Sequence, residues 1–400
     1  MKKKKLVSGL AAALLCTSLV TPGMASNSPN GNLTNENSEL SVSGFTSHAE
    51  LKKTLMQIEK NSQGLVKVDV VGHSNNGLEI HQARVGHGER VILIESEIHG
   101  NEKTGTEALI KVLQYLGSSN SPEAQKIRDE VTLVVLPMMN PDASELNRRA
   151  NDMTWDEVVA KYPVLSGVKP SWNYYTGTLQ DVNYAERPGF DVNRDFNPNL
   201  NYELNPADFP GTSSKPGWYI TSESQTVRDV YKSLKEEFGN VDTFIDLHHQ
   251  GQYYVEGTDD IVTMSLSGQF VPNPNSEAGS KYAEYAQNYR DDYSRQLNVA
   301  AYNALQSMGN SPFDNITLYS RKLDLPGTAL ASFALNGSGA VLFEVRGQTW
   351  TLGQKKRGQL VKAVETGLHA IISGVANGTV EELDPEAYEA IPETSYSPGL

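Results

Sequence analysis

The chain has 400 residues, with 34 Lys and Arg against 48 Asp and Glu, a formal net charge of −14, one cysteine and 38% apolar residues. The acidic balance argues against a nucleic-acid partner, because such binding takes most of its affinity from Lys and Arg neutralising phosphates. Charged residues at only 20%, with 18 Tyr, 10 Phe and four Trp available to pack, exclude wholesale disorder and predict a sizeable core.

Lys2 to Lys5 make a positive start, Leu6 to Val20 is mostly apolar, and Thr21 to Ala25 supplies small residues for cleavage. This is the pattern of a secretory signal over residues 1–25, with an apolar stretch too short to span a bilayer comfortably. Cleavage after Ala25 removes four lysines and no acid, taking the net charge from −14 to −18, and removes Cys16, the only cysteine. An exported chain without a disulfide is held by its core, by bound ions or by both, and is not a thiol enzyme. Secretion is therefore expected, with no membrane attachment after cleavage and a monomeric protein. Residues 26–44, rich in Asn, Ser and Gly, read as a flexible leader.

A helix is expected from Ser47, where Leu51, Leu55 and Ile58 recur at helical spacing. Val66 to Val71 and Leu78 to Val85 read as a hairpin about Ser74-Asn75-Asn76-Gly77. Short apolar runs then alternate with amphipathic stretches. The runs are Val91 to Ile94, Val131 to Met139, Val241 to Leu247 and Gly339 to Val345; the helices are Thr104 to Leu116, ended by Gly117, then Ser222 to Phe238 and Lys355 to Ser373. The pattern predicts an α/β fold, a mixed, mostly parallel central β-sheet with helices on both faces, as one domain over 45–375. Two long stretches, Asn151 to Pro188 and Gly251 to Ser280, show weak periodicity and read as functional loops or lids, or as surface excursions without a role. The acidic, Pro-bearing tail over 376–400 is expected to carry no regular structure.

The sharpest local signal is Glu97-Ile98-His99-Gly100-Asn101-Glu102, at the carboxyl end of a buried strand and before a helix. Open α/β sheets bind their ligands at that edge, and an imidazole and a carboxylate three residues apart suit zinc. A His-x-x-Glu alone is weak. A third ligand is expected at the end of a neighbouring strand, and Phe244-Ile245-Asp246-Leu247-His248-His249 offers two histidines that point to opposite faces.

Further motifs follow: Asn140-Pro141-Asp142 with Arg149 and Asn151, then Gly189-x-Asp191-x-Asn193-Arg194-Asp195, and Phe343-Glu344-Val345-Arg346. As an ordered set over roughly Val66 to Ile372, these resemble the zinc metallocarboxypeptidase superfamily, whose best-known members are the pancreatic carboxypeptidases. The resemblance implies one Zn2+ per chain on His99, Glu102 and His248, with His249 as the fallback. It implies that Asp191 orients the first histidine, a device that fixes a ligand ring. Asn193 and Arg194 would grip a terminal carboxylate, for which a planar guanidinium is well shaped. Glu344 would be the catalytic acid and base beside zinc, which lowers the pKa of bound water to about 7. Arg149, chosen over Arg148 by its spacing to Asn151, would stabilise the oxyanion. Tyr319 is the candidate for a tyrosine that closes over substrate.

The implied activity is hydrolysis of the C-terminal peptide bond of peptides or proteins. A cell-wall peptide hydrolase cutting a γ-D-glutamyl-diaminopimelate bond, and a deacylase of N-acyl amino acids, would use the same zinc and glutamate. An inactive peptide-binding protein on the same fold is the reading from another class, and all four candidate positions for ligands and glutamate are filled.

Overall fold

The computed structural model describes residues 44–308, 313, 315–320, 322–347 and 353–399. The predicted signal and nearly all of the leader lie outside the described residues.

The chain enters through α1 (His48–Asn61), whose start carries a capping box between Ser47 and Glu50 and whose Leu51, Leu55 and Ile58 turn inward. The hairpin β1 (Val66–His73) and β2 (Glu79–Val85) follows, then β3 (Arg90–Ser96), α2 (Thr104–Ser118), α3 (Pro122–Glu130), β4 (Val131–Leu136) and α4 (Pro141–Glu145). Gly117 does not end α2. It lies inside the helix, where a Cβ would come within 2.9 Å of Val66, so the glycine lets the helix sit close on β1.

The next stretch contains α5 (Trp155–Lys161), β5 (Tyr174–Tyr175), β6 (Thr178–Leu179), β7 (Val182–Asn183) and β8 (Gly189–Phe190). After α6 (Ser222–Phe238) come β9 (Thr243–Gln250), β10 (Tyr254–Val255), β11 (Met264–Ser267), α7 (Asp291–Ser307), β12 (Ile316–Leu318), α8 (Ala329–Leu335), β13 (Gly339–Arg346), α9 (Gly353–Asn377) and β14 (Thr394–Ser395).

Eight strands form one sheet in the order β1-β2-β4-β3-β9-β13-β11-β12. Its centre is parallel across β4, β3, β9 and β13, β12 runs parallel to β11, and the remaining pairings are antiparallel. The mixed, mostly parallel sheet expected from the sequence is therefore present. Its two faces are covered separately: one by α1, α2, α7 and α9, the other by α6 and α8. Strands β3, β4, β9 and β13 are buried almost throughout, which explains their continuous apolar runs.

Composition was a poor guide to two regions. The stretch 251–280 supplies β11, which pairs with β13 and places Ser265 opposite Glu344. The acidic tail is ordered: Tyr388 and Ile391 bury themselves against Val299 and Leu318, while Glu386 and Glu389 meet Arg295 of α7. Two apolar anchors and one arginine suffice to seat a segment whose average composition reads as disordered.

Candidate active site

The site lies at the carboxyl ends of the central parallel strands. Register puts Glu344 of β13 directly beside His248 of β9, so both side chains leave the sheet on the same face. After β3 the backbone turns sharply at Glu97, which takes a φ of 55°, and the following loop carries His99 and Glu102. Gly100 makes that loop possible: a Cβ there would stand 2.0 Å from the Ala143 carbonyl carbon of α4. Asn140 ties the two segments, donating from Nδ2 to the Ile98 carbonyl at 2.9 Å while its Oδ1 accepts from Ala143 N.

His99, Glu102 and His248 converge with one ligand atom from each lying within 4.8 Å of the others, all buried. Glu102 Oε1 is 3.0 Å from His99 Nδ1 and its Oε2 is 2.7 Å from His248 Nδ1. Burial would raise the Glu102 carboxyl, but the two imidazoles hold it well below the usual carboxylate range. The outward nitrogens are also engaged. His99 Nε2 is 3.1 Å from Asp191 Oδ1, and His248 Nε2 is 2.9 Å from Asp246 Oδ1 and 3.1 Å from Asn193 Nδ2. His99, hydrogen-bonded behind by Asp191, and His248, with Asp246 at ion-pair distance behind it, converge with the Glu102 carboxylate in a donor set that fits zinc. The surroundings agree, since burial and the neighbouring acids push the carboxyls of Glu95 and Glu344 well above the usual range, and a dication held at this cluster would offset that crowding.

His249 points the other way. Its Nε2 accepts from the Thr104 N–H at the start of α2 at 3.0 Å, and burial lowers its pKa to about 4, so it is a neutral cap for a helix lacking one of its own. The choice of His248 over His249 thus agrees with the alternation of the strand.

Asp191 is a hub. Its Oδ1 faces His99 and accepts from Asn193 N, and its Oδ2 accepts from Arg149 Nε at 3.0 Å, Arg149 Nη2 at 2.8 Å and the Tyr175 hydroxyl at 3.0 Å. Burial opposes ionisation, but Arg149, Arg194 and His99 hold its carboxyl well below the usual range. Arg149 is fully buried with Nη1 3.2 Å from His99 Nδ1, whereas Arg148 spends its guanidinium on the carbonyls of Ala150, Asn151 and Arg187 and on Asp152. The two adjacent arginines therefore divide into one at the site and one that braces the loop after it.

Asn193 bridges His248 to α8, its Oδ1 accepting from Ala329 N at 3.0 Å. Arg194 is buried beside it, and its Nη1 donates to the Asn193 carbonyl at 2.5 Å. Asp195 does not pair with Arg194. It accepts from Ile220 N, Thr221 N and the hydroxyls of Thr221 and Ser224, and so anchors the start of α6.

Glu344 is 1% exposed with Oε2 lacking a hydrogen-bond partner in the described structure. Burial raises its carboxyl well above the usual range; His248 pulls against this, and Glu102 and Asp246 add to it. A buried carboxyl with an elevated pKa is suited to carrying a proton between two partners. Tyr319 sits close by, but its ring is 2% exposed and stacked on Phe270 with centroids 6.1 Å apart. It is a packed ring in this conformation.

Sequence reasoning missed Asp246, Tyr175, Tyr253 and Tyr396. Asp246 was within reach, because a residue two before His248 on a strand shares its face. The tyrosines were not, since each comes from a stretch with weak periodicity or from the tail.

Comparison with known proteins agrees with the fold and gives the family. Human carboxypeptidase Z is 29% identical over 110 residues, which are 25% of this chain and 17% of that protein, so the match spans less than a fifth of its length. Thrombin activatable fibrinolysis inhibitor has the same fold at 15% identity, covering 84% of this chain and 78% of its own, with a TM-score of 0.55. Carboxypeptidase A of Helicoverpa armigera, at 15% identity, covers 82% of this chain and 74% of its own with a TM-score of 0.50. Residues 51–334, spanning His99, Glu102, Arg149, Asp191, Arg194 and His248, match the family described as zinc carboxypeptidase, and the chain belongs to that family.

Proposed function

We propose that the protein is an exported zinc-dependent carboxypeptidase that removes the terminal residue from peptides. The observation that carries this reading is the juxtaposition of His99, Glu102 and His248 with an acidic group, Glu344, and a buried cation, Arg194. Zinc held by the three side chains would supply a Lewis acid that makes water acidic near neutral pH and polarises a carbonyl.

The chain's own groups do the rest. Arg194, with Asn193 beside it, takes the substrate's terminal carboxylate through charge-assisted hydrogen bonds and places the last amide over the site. Glu344 accepts the proton of the attacking water at a carboxylate oxygen and returns it to the leaving amine. Arg149, clamped by Asp191, aims positive charge at the carbonyl oxygen as it becomes anionic, and because it is already fixed it need not reorganise. Asp191 and Asp246 keep His99 and His248 pointed inward.

The experiment compares hydrolysis of one peptide with a free and an amidated C-terminus, before and after removal of metal by a chelator. Turnover of the free peptide alone, abolished by the chelator and restored by zinc, is expected. Equal turnover of both peptides would remove Arg194 from its role and favour a cell-wall or internal peptide bond as the substrate; turnover that survives the chelator would defeat the reading.

A further inference from the structure

The tail reaches the active site. From Ile391 it runs along the outer edge of the sheet, where Leu318 N donates to the Pro392 carbonyl at 2.7 Å and Glu393 bridges to Leu318. β14 then pairs antiparallel with β10, Ser395 facing Tyr254 and Thr394 facing Val255. Thr394 is fastened by its hydroxyl, which lies 2.9 Å from Ser265 Oγ and 2.6 Å from Thr317 Oγ1 and donates to the Leu318 carbonyl at 2.6 Å. Ser265 is the residue opposite Glu344 in the sheet, so the tail is fixed one strand away from the catalytic carboxyl.

Tyr396 follows β14 directly, and its ring stands edge-on to Tyr253 at 4.7 Å and 81°. Burial pushes up the hydroxyl pKa values of Tyr253, Tyr319 and Tyr396, and the nearby charge of Glu344 adds to each. The charged groups acting on Glu344 come from the metal side, namely His248, Glu102, Asp246 and Arg149. What the tail side brings is aromatic surface, and Tyr396 remains 47% exposed, so part of that surface is open to a ligand.

We propose that the segment 392–399 is a wall of the substrate site, and that Tyr396, paired with Tyr253, determines specificity by receiving an apolar or aromatic side chain at the substrate's C-terminus. The inference rests on the carboxypeptidase reading above. An aromatic pair offers an incoming ring two faces and an edge, which favours a phenylalanine over an alanine beyond the area it buries. The hydroxyl seat under Thr394 gives the wall its rigidity, since an ordered pocket does not have to be assembled on binding.

The test uses the full chain loaded with zinc and two peptides that differ only in a terminal Phe or Ala. Tyr396→Ala should lower kcat/KM for the Phe peptide about 3–10-fold more than for the Ala peptide, mainly through KM. Tyr396→Phe should keep the preference, because it keeps the ring. Equal losses on both peptides, or none, would overturn the proposal, and a gain on both would show that the tail obstructs the site instead. Should the unsubstituted protein cleave neither peptide, the carboxypeptidase reading fails on its own. The wall is then judged by calorimetry with N-acetyl-phenylalanine and N-acetyl-alanine: Tyr396→Ala must weaken the first selectively, and equal binding by both proteins overturns the wall.

Discussion

On one side of Glu344 stand charges placed by short motifs; on the other stand rings brought from positions 253, 319 and 396. The charged side is built from strand ends and the turns directly after them. His99 and Glu102 lie three residues apart, and parallel register makes His248 and Glu344 neighbours. The aromatic side is assembled from a loop, a strand edge and a tail, held by one small strand pair and a cluster of hydroxyls. The difference teaches where each kind of information resides. Metal and proton chemistry demand a few residue types at tight spacing, whereas a side-chain pocket needs only surface of the right character and can draw it from anywhere in the chain.

Four experiments press on this contrast, the first three on the charged side. Glu344→Gln should cost about 10²–10⁴-fold in kcat while leaving zinc content at the level of the parent, as measured by metal analysis. Equal loss of zinc and activity would mean that Glu344 holds the metal instead of the proton. Arg194→Ala should lower kcat/KM for the free peptide by about 10–100-fold and give the amidated peptide no turnover that the parent lacks. Asp246→Asn should weaken zinc binding by about 10–100-fold, read by competition with a chromophoric chelator, because His248 loses the carboxylate behind it. Unchanged affinity would leave Asp246 as an ordinary buried acid.

The fourth and smallest effect is on stability. Glu223 lies under the loop that carries Arg149, accepting from Asn151 Nδ2 at 3.1 Å, and burial raises its pKa from 4.5 to about 7. The folded state therefore binds this proton more tightly than the unfolded chain does, and stability falls as pH rises from about 4.5 to about 7. The loss is about 1–3 kcal/mol. Thermal unfolding between pH 5 and 8 should show this decline, and Glu223→Gln should flatten it; an unchanged slope would place the titration elsewhere.

Much of the charged side was legible in the sequence. His99, Glu102, His248, Asp191, Asn193, Arg194, Arg149 and Glu344 all come to one place, and the structure separates Arg149 from Arg148 and His248 from His249 for reasons that strand alternation and loop bracing supply. The buried strands were legible because a strand covered on both faces has to be apolar throughout. The tail was not. Composition averages over 376–400 and hides that Tyr388, Ile391 and Thr394 are each seated individually.

By itself the sequence determined the fold class and singled out the candidate reactive groups, because both rest on local rules: apolar runs make buried strands, and the candidate ligands stand at the ends of those strands or in the turn directly after. Only the tertiary structure decided which tyrosines stand at the site. Tyr319, the tyrosine nearest to Glu344 along the chain, stands there with its ring buried against Phe270, while Tyr396, over fifty residues beyond Glu344, presents an exposed ring because β14 pairs with β10. That placement comes from backbone hydrogen bonds between distant segments, and backbone pairing carries little signature in the side chains it brings together.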